Sequence, residues 1–285
     1  MVNVSEGRDG TVLASLAEVC GTCLLDMHSD WHHHRSVFTL AGTSPSVEMA
    51  VRDLAHCAVR LLDLRHHAGV HPRLGTLDVV PWVALDGWPL RDMPGEPGRQ
   101  RAITARDGFA RWAAGELGLP VFLYGPERSL PQLRKQAWKT LTPDFGPPAP
   151  HPVAGAVAVG CRPLMVAYNL WMAEADLGRA RTVAATIRSA SVRALAFRLG
   201  NDVQVSCNLV APFGVGPDVV WDRVAGMMPV ARAELVGLVP GTVLDGIPED
   251  RWAELDLSRE RTIEARLVRQ RQAQVNAQVS GLPTK

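Results

Sequence analysis

The sequence predicts an α/β fold built as two subdomains, from three observations. Short apolar runs alternate with amphipathic stretches along the chain, the pattern of strands exchanging with helices. At 285 residues the chain is long enough for two compact subdomains with real cores. Between the two alternating halves lies a proline-rich stretch over 125–153, holding Pro126, Pro131, Pro143, Pro147, Pro148, Pro150 and Pro152. Proline fixes φ and restricts the residue before it, so most of this stretch is extended or turning. A segment that long without evident elements is usually a functional loop or a linker. The boundary is placed to give subdomains 1–158 and 159–285.

The elements follow in order. Val12, Leu13, Leu16 and Val19 share helical spacing, and Ser36 to Leu40 reads as a strand. Val47, Val51, Leu54, Ala58 and Leu61 lie on one helical face, with Ser46 positioned as N-cap. After a polar break from Arg65 to Arg73 come a strand Leu77 to Leu85, a helix around 105–118 and a strand Val121 to Tyr124. Beyond the prolines, strand-like runs occupy Ala156 to Val159 and Leu164 to Leu170. A helix follows near 176–189, then strands over 192–199 and 203–210. A helix over 217–233, a strand Leu235 to Val239 and a charged helix over 258–276 close the chain.

Composition narrows the function. Hydrophobic residues at 47% and charged residues at 21% are ordinary for a globular protein. The net charge of +1 gives no global field toward nucleic acid or a membrane surface. No window reaches the roughly 18 apolar residues of a spanning helix, and the opening Met-Val-Asn-Val-Ser-Glu-Gly has no basic-then-apolar leader. The reading is cytoplasmic. Five cysteines, an odd number without framework spacing, argue against a disulfide-stapled domain. Cys20 and Cys23 form a Cys-x-x-Cys pair, yet no second pair exists to complete a zinc site. They read as part of a buried helix-to-strand connection.

The histidines carry the first chemical signal. His28, His32, His33 and His34 crowd one segment, and His66, His67 and His71 another. Asp26 to Arg35 alternates hard and borderline ligands and invites a metal-dependent hydrolase reading. Adjacent histidines in a loop diverge, however, so no metal is assigned and the segment reads as a polar loop with one or two useful side chains. His71 is more informative. Pro72 stiffens the backbone that presents it, Arg73 offers a donor fork, and Gly69 and Gly75 flank it with backbone freedom. A rigid imidazole beside a cation suits general acid/base chemistry on an anionic substrate, with a structural histidine as the plainer alternative. There is no Gly-x-x-x-x-Gly-Lys loop, no Gly-x-Gly-x-x-Gly after the first strand and no Gly-x-Ser-x-Gly elbow. The Cys207 thiol lies in an apolar run with no base beside it in sequence.

Six stretches then resemble glutamate formiminotransferase. They are Asn3 to Gly7, His66 to Val79 with its His-Pro-Arg-x-Gly-x-Leu-Asp core, Pro120 to Gly125, Pro143 to Pro147, Gln204 to Leu209 and Glu234 to Pro240. They occur in the family's order from residue 3 to about 240. The resemblance implies two subdomains, each a mixed β-sheet covered by helices, with a tunnel or cleft between them, and a short form lacking the fused cyclodeaminase domain. It implies transfer of a formimino group from N-formimino-glutamate to N5 of tetrahydrofolate, the co-substrate. By resemblance His71 is the catalytic residue. The folate-contacting stretch is Gly146, Pro147, Pro148, Ala149, Pro150, His151, Pro152, Val153, Ala154 and Gly155. His28, His34, Arg35, Arg73 and Arg162 are candidate substrate-binding residues, the arginines for the glutamate and folate carboxylates. Partners are small molecules, with no nucleic acid and no membrane, and a homodimer is compatible with the family. His34-Arg35 stands where the family has Asn-Arg, Ala154-Gly155 where it has Trp-Gly, Arg162-Pro163 where it has Arg-Lys, and Cys207 where it has Thr. These departures keep two alternatives open: a non-catalytic folate-binding relative, and a transferase using formyl-glutamate or 5-formyl-tetrahydrofolate.

Overall fold

The computed structural model describes residues 1–85, 90 and 95–280. The chain divides into two compact units. The first takes Met1–Gly21, Met27–Asp86 and Met93–Leu164; the second takes Thr22–Asp26, Gly87–Asp92 and Met165–Lys285.

The first unit holds a six-stranded sheet of β1 (Val2–Val4), β2 (Leu24–Asp30), β3 (Arg35–Leu40), β4 (Leu77–Trp82), β5 (Val121–Tyr124) and β6 (Val157–Cys161). Its order is β2-β3-β1-β4-β6-β5. β1 runs antiparallel to β3 and β4, whereas β4, β6 and β5 are parallel. Every residue of β4, β5 and β6 is buried, the unbroken apolar pattern of strands covered on both faces. Parallel neighbours need crossovers, and helices α1 (Gly10–Glu18), α2 (Ser44–Leu61), α3 (Glu96–Glu116) and α4 (Leu130–Gln136) belong to this unit. The Asp9 carboxylate caps α1, accepting from the Thr11 and Val12 N–H groups at 2.9 and 3.1 Å.

Several expectations are corrected here. The N-cap of α2 is Thr43, whose hydroxyl accepts from the Ser46 N–H; Ser46 lies inside the first turn because Pro45 is tolerated only there. α3 starts at Glu96 rather than near 105, since its first turns are polar and carry little apolar periodicity. The segment 28–30 continues β2 as a strand, so only 31–34 form the turn. The proline-rich stretch contains α4, started by a capping box in which Ser129 and Gln132 bond reciprocally.

The second unit carries an antiparallel sheet of β7 (Val166–Met172), β8 (Val192–Leu199), β9 (Asp202–Leu209) and β10 (Val230–Val236), ordered β10-β7-β9-β8. Among the described residues, parallel pairing of whole strands is confined to the first unit, and the second holds only an isolated parallel bridge between Val239 and Thr262. α5 (Leu177–Ile187), α6 (Pro217–Ala225), α7 (Gly241–Leu244) and α8 (Ile263–Ser280) complete it. α6 ends at Gly226, and residues expected to continue it as helix instead pair with β7 as β10. Tyr168, Leu170, Val203, Val205, Leu209 and Leu235 form the sheet's apolar core, and the Tyr168 hydroxyl donates to the Leu255 carbonyl at 3.0 Å. Among the described residues no helix is long and apolar enough to cross a membrane.

Candidate active site

The first unit's sheet buries one carboxylate beside two guanidinium groups. Asp78, on β4, is fully buried. It accepts from Arg35 Nη1, from Arg134 Nη2 at 2.7 Å and from the Leu74 N–H at 2.6 Å. Burial alone raises its pKa. The two guanidiniums and the Leu74 N–H outweigh that and hold it well below the ordinary carboxylate range. Arg35 enters from the start of β3 and also donates through Nε to Asn3 Oδ1 on β1 at 3.2 Å, so three strands share this centre.

The His71-Pro72-Arg73 segment hangs from it. Arg134 Nη1 donates to the Pro72 carbonyl at 2.8 Å, and the same oxygen lies 2.7 Å from His71 Nδ1. A carbonyl can only accept, so Nδ1 carries the proton and Nε2 is the basic nitrogen of the neutral ring. Burial first, then the charges of Arg35 and Arg134, push the His71 pKa down to about 3 against the opposing pull of Asp78. The imidazole is neutral at ordinary pH. His33, buried, meets it edge-on with ring centroids 5.8 Å apart.

Arg73 fastens the loops around it. Its Nη2 donates to the His33 and His71 carbonyls at 3.1 and 2.8 Å, and its Nη1 to the His34 carbonyl at 3.3 Å. Nη1 also lies against the His67 ring. Gly69 passes so close that a Cβ there would sit 2.4 Å from the His33 carbonyl oxygen. His34 adopts a left-handed φ of 48°, stacks on His67 at 4.0 Å and accepts the Gly7 N–H on Nδ1 at 3.1 Å, a bond only an unprotonated nitrogen makes. Burial, Arg73 and His34 lower His67 to about 4. Glu6 collects the Gly7, Arg8 and Asp9 N–H groups on one carboxylate oxygen at 2.8, 2.6 and 3.0 Å.

His34, Arg35, His71 and Arg73 are thus brought together. Arg162 follows β6, with Nη1 on the Pro163 carbonyl at 2.8 Å. Tyr124 links it to the cluster: its hydroxyl, raised to about 12 by burial, feels Arg162, Arg134 and Asp78 together. Gly160 leaves room for the Tyr124 ring, which a Cβ would approach to 2.2 Å. His28 stands on the edge strand β2, apart from the turn that carries His33 and His34. In the 146–155 stretch, Gly146 to Pro150 are exposed, and the remainder is stitched down. Thr76 N–H donates to the Ala154 carbonyl and Ala156 N–H to the Leu74 carbonyl, both at 2.9 Å, while His151 Nδ1 accepts the Ala154 N–H at 3.0 Å. Gly155 has φ 75°, and a Cβ there would lie 2.3 Å from the Leu74 carbonyl oxygen.

Arg134 was not singled out by sequence reasoning, and His33, His67, Glu6 and Tyr124 were named only as members of the histidine clusters or motif stretches, without a role. For Arg134 a signal existed: Ser129-x-x-Gln132 is a capping box that announces a helix inside the proline-rich stretch. Cys20 and Cys23 are buried and in no disulfide, on the short connection into β2, with the Cys20 thiol donating to the Leu16 carbonyl, and Cys207 is buried with its thiol pushed up to about 12. Among the described residues no His, Cys, Asp and Glu group is arranged to hold a metal ion.

Residues 1–162 match the model of the formiminotransferase domain, N-terminal subdomain. A glutamate formimidoyltransferase of Streptococcus pyogenes is 30% identical over 87% of this chain and 90% of its own length. One from Thermoplasma acidophilum is 32% identical over 85% and 88%. A formimidoyltransferase-cyclodeaminase of Gallus gallus is 32% identical over 84% of this chain but 49% of its own length. This chain belongs to the formiminotransferase family.

Proposed function

We propose that this chain is a glutamate formimidoyltransferase. It moves the formimino group of N-formimino-L-glutamate to N5 of tetrahydrofolate, releasing glutamate and 5-formiminotetrahydrofolate. The observation that carries this reading is the His71 imidazole with Nδ1 2.7 Å from the Pro72 carbonyl, in a cluster that holds Arg35, Arg73 and Arg134. N5 attacks the formimino carbon to give a tetrahedral adduct, which collapses by expelling the glutamate nitrogen. N5 must lose a proton and the leaving nitrogen must gain one. His71 Nε2 takes the first proton and returns it to the second site, a role typically worth about 10²–10⁴-fold. Burial and two adjacent cations disfavour the imidazolium, so the proton is passed on rather than retained.

Arg35, Arg73 and Arg134 surround the single Asp78 carboxylate, leaving net positive charge that draws anionic substrates. Arg73 spends donors on three main-chain carbonyls, and we assign it to holding the loops. Arg35, Arg162, His34 and His28 remain the substrate-facing candidates, and 146–155 the folate-facing stretch. Five buried cysteines in no disulfide fit a reducing cytoplasm.

A spectrophotometric assay with both substrates, run beside His71→Ala, tests the reading. Turnover should collapse in the variant while tetrahydrofolate binding persists. Undiminished turnover in His71→Ala, or no turnover in the parent protein, overturns it.

A further inference from the structure

The geometry points to Arg134 as a positioning residue that fixes the tautomer and orientation of His71 through the Pro72 carbonyl. The inference rests on the proposed role of His71 and assigns a task to a helix inside the proline-rich stretch. Arg134 lies 62 residues from Pro72, yet its two terminal nitrogens bond two different fixed points, the Pro72 carbonyl at 2.8 Å and the buried Asp78 carboxylate at 2.7 Å. Asp78 cannot move, because Arg35 and the Leu74 N–H hold it as well. The guanidinium therefore sets the Pro72 oxygen at a defined place over β4, and that oxygen receives the His71 Nδ1–H at 2.7 Å. A carbonyl only accepts, so the ring nitrogen that faces this oxygen donates and Nε2 is left as the proton acceptor; Arg134 contributes by holding the oxygen where Nδ1 meets it.

The described charged and titratable groups around His71 come from several elements. They are Arg35 from β3, Asp78 from β4, Arg134 from α4, His33 from the 31–34 turn, and Arg73 bonded to the His71 carbonyl. Removing Arg134 takes away one of two charges that disfavour the imidazolium and one of two donors at the Pro72 oxygen. A planar fork is required for both bonds at once. Lysine restores the charge but not the geometry.

The test compares Arg134→Gln and Arg134→Lys with the parent protein by kcat and KM against pH, and by ¹⁵N-histidine NMR of the same proteins, with His71 resonances identified by their loss in His71→Asn. In Arg134→Gln, kcat at neutral pH should fall by about 10- to 100-fold, as misplacement of a catalytic group does, with both KM values unchanged. Its acid limb should move up toward the ordinary histidine range, and NMR should show a mixture of His71 tautomers. Arg134→Lys should return the acid limb while keeping a reduced kcat, and decides the matter if the glutamine variant does not fold. A raised KM with an unmoved pH profile would overturn the inference by making Arg134 a substrate contact. Equal losses in both variants with an unchanged His71 tautomer and titration would overturn it as plain destabilisation. Absence of turnover in the parent protein would sink the proposed function alone, because the NMR readout still decides this inference.

Discussion

The two units solve burial in opposite ways. Among the described residues, the buried acidic and basic side chains Glu6, His33, Asp78 and Arg106 all lie in the first unit. The second unit's buried polar residues, Asn169, Gln204 and Thr262, are uncharged. Burying a charge is costly unless it is paired and hydrogen-bonded, and the first unit meets that cost with linked partners around Asp78. The second unit stacks Tyr168, Leu170 and Val205 on an antiparallel sheet, and its polar cluster, Asn169, Trp171 and Gln204 donating to Glu234, centres on a carboxylate that is only partly buried. The lesson is that the first sheet is arranged around a buried charge cluster, and the second around apolar packing beside a partly exposed carboxylate.

The comparison can be broken most sharply at Asp78. Asp78→Ala leaves Arg35 and Arg134 without their carboxylate, and should destabilise the protein by about 3–5 kcal/mol in urea titration. A loss below 1 kcal/mol would mean the network is not a structural centre. In the second unit, Leu170→Ala removes a fully buried side chain and should cost about 2–5 kcal/mol through its cavity. There the pH dependence of stability should stay that of the parent protein, which differential unfolding at several pH values would read.

Acid sharpens the contrast further. The folded pKa values of His71 and His67, about 3 and about 4, lie below the ordinary 6.5. As pH falls from 6.5 the unfolded chain therefore binds protons that the folded chain refuses, and stability drops. Asp78, also depressed, adds to the loss below about 4. In the second unit the exposed Glu260, lowered by backbone and Ser258 hydrogen bonds, responds only below 4.5. Hydrogen exchange between pH 6.5 and 4.5 should thus show β1 and β4 losing protection before β7 and β9. The reverse order would contradict the assigned histidine environments.

The smallest effect is expected at Ser129, the half-buried N-cap of α4. Ser129→Ala should cost about 1 kcal/mol of helix stability and lower kcat less than Arg134→Gln, with KM unchanged. A larger fall in kcat than that of Arg134→Gln would mean α4 acts through more than its arginine.

Much of the fold was legible because periodicity is local. The α2 face of Val51, Leu54 and Ala58 and the runs at 121–124 and 166–170 declare their period without their neighbours. The charged first turns of α3 and the short α4 did not, since their burial comes from the sheet rather than from their own pattern. Part of the site was legible too. His71, stiffened by Pro72, stood out by chemistry, and Asp78 lay within the quoted core.

By itself the sequence determined the α/β alternation, the rigid presentation of His71 and the family to which the chain belongs. These depend on side-chain periods, proline geometry and motif spacing, which are properties of neighbours along the chain. Only the tertiary structure decided that β6 enters between β4 and β5, that 230–236 is strand, and that Arg134 meets Pro72 and Asp78. Each of those is a contact across tens of residues, where hydrogen-bond pairing and charge burial select the partner and local sequence carries no record of the choice.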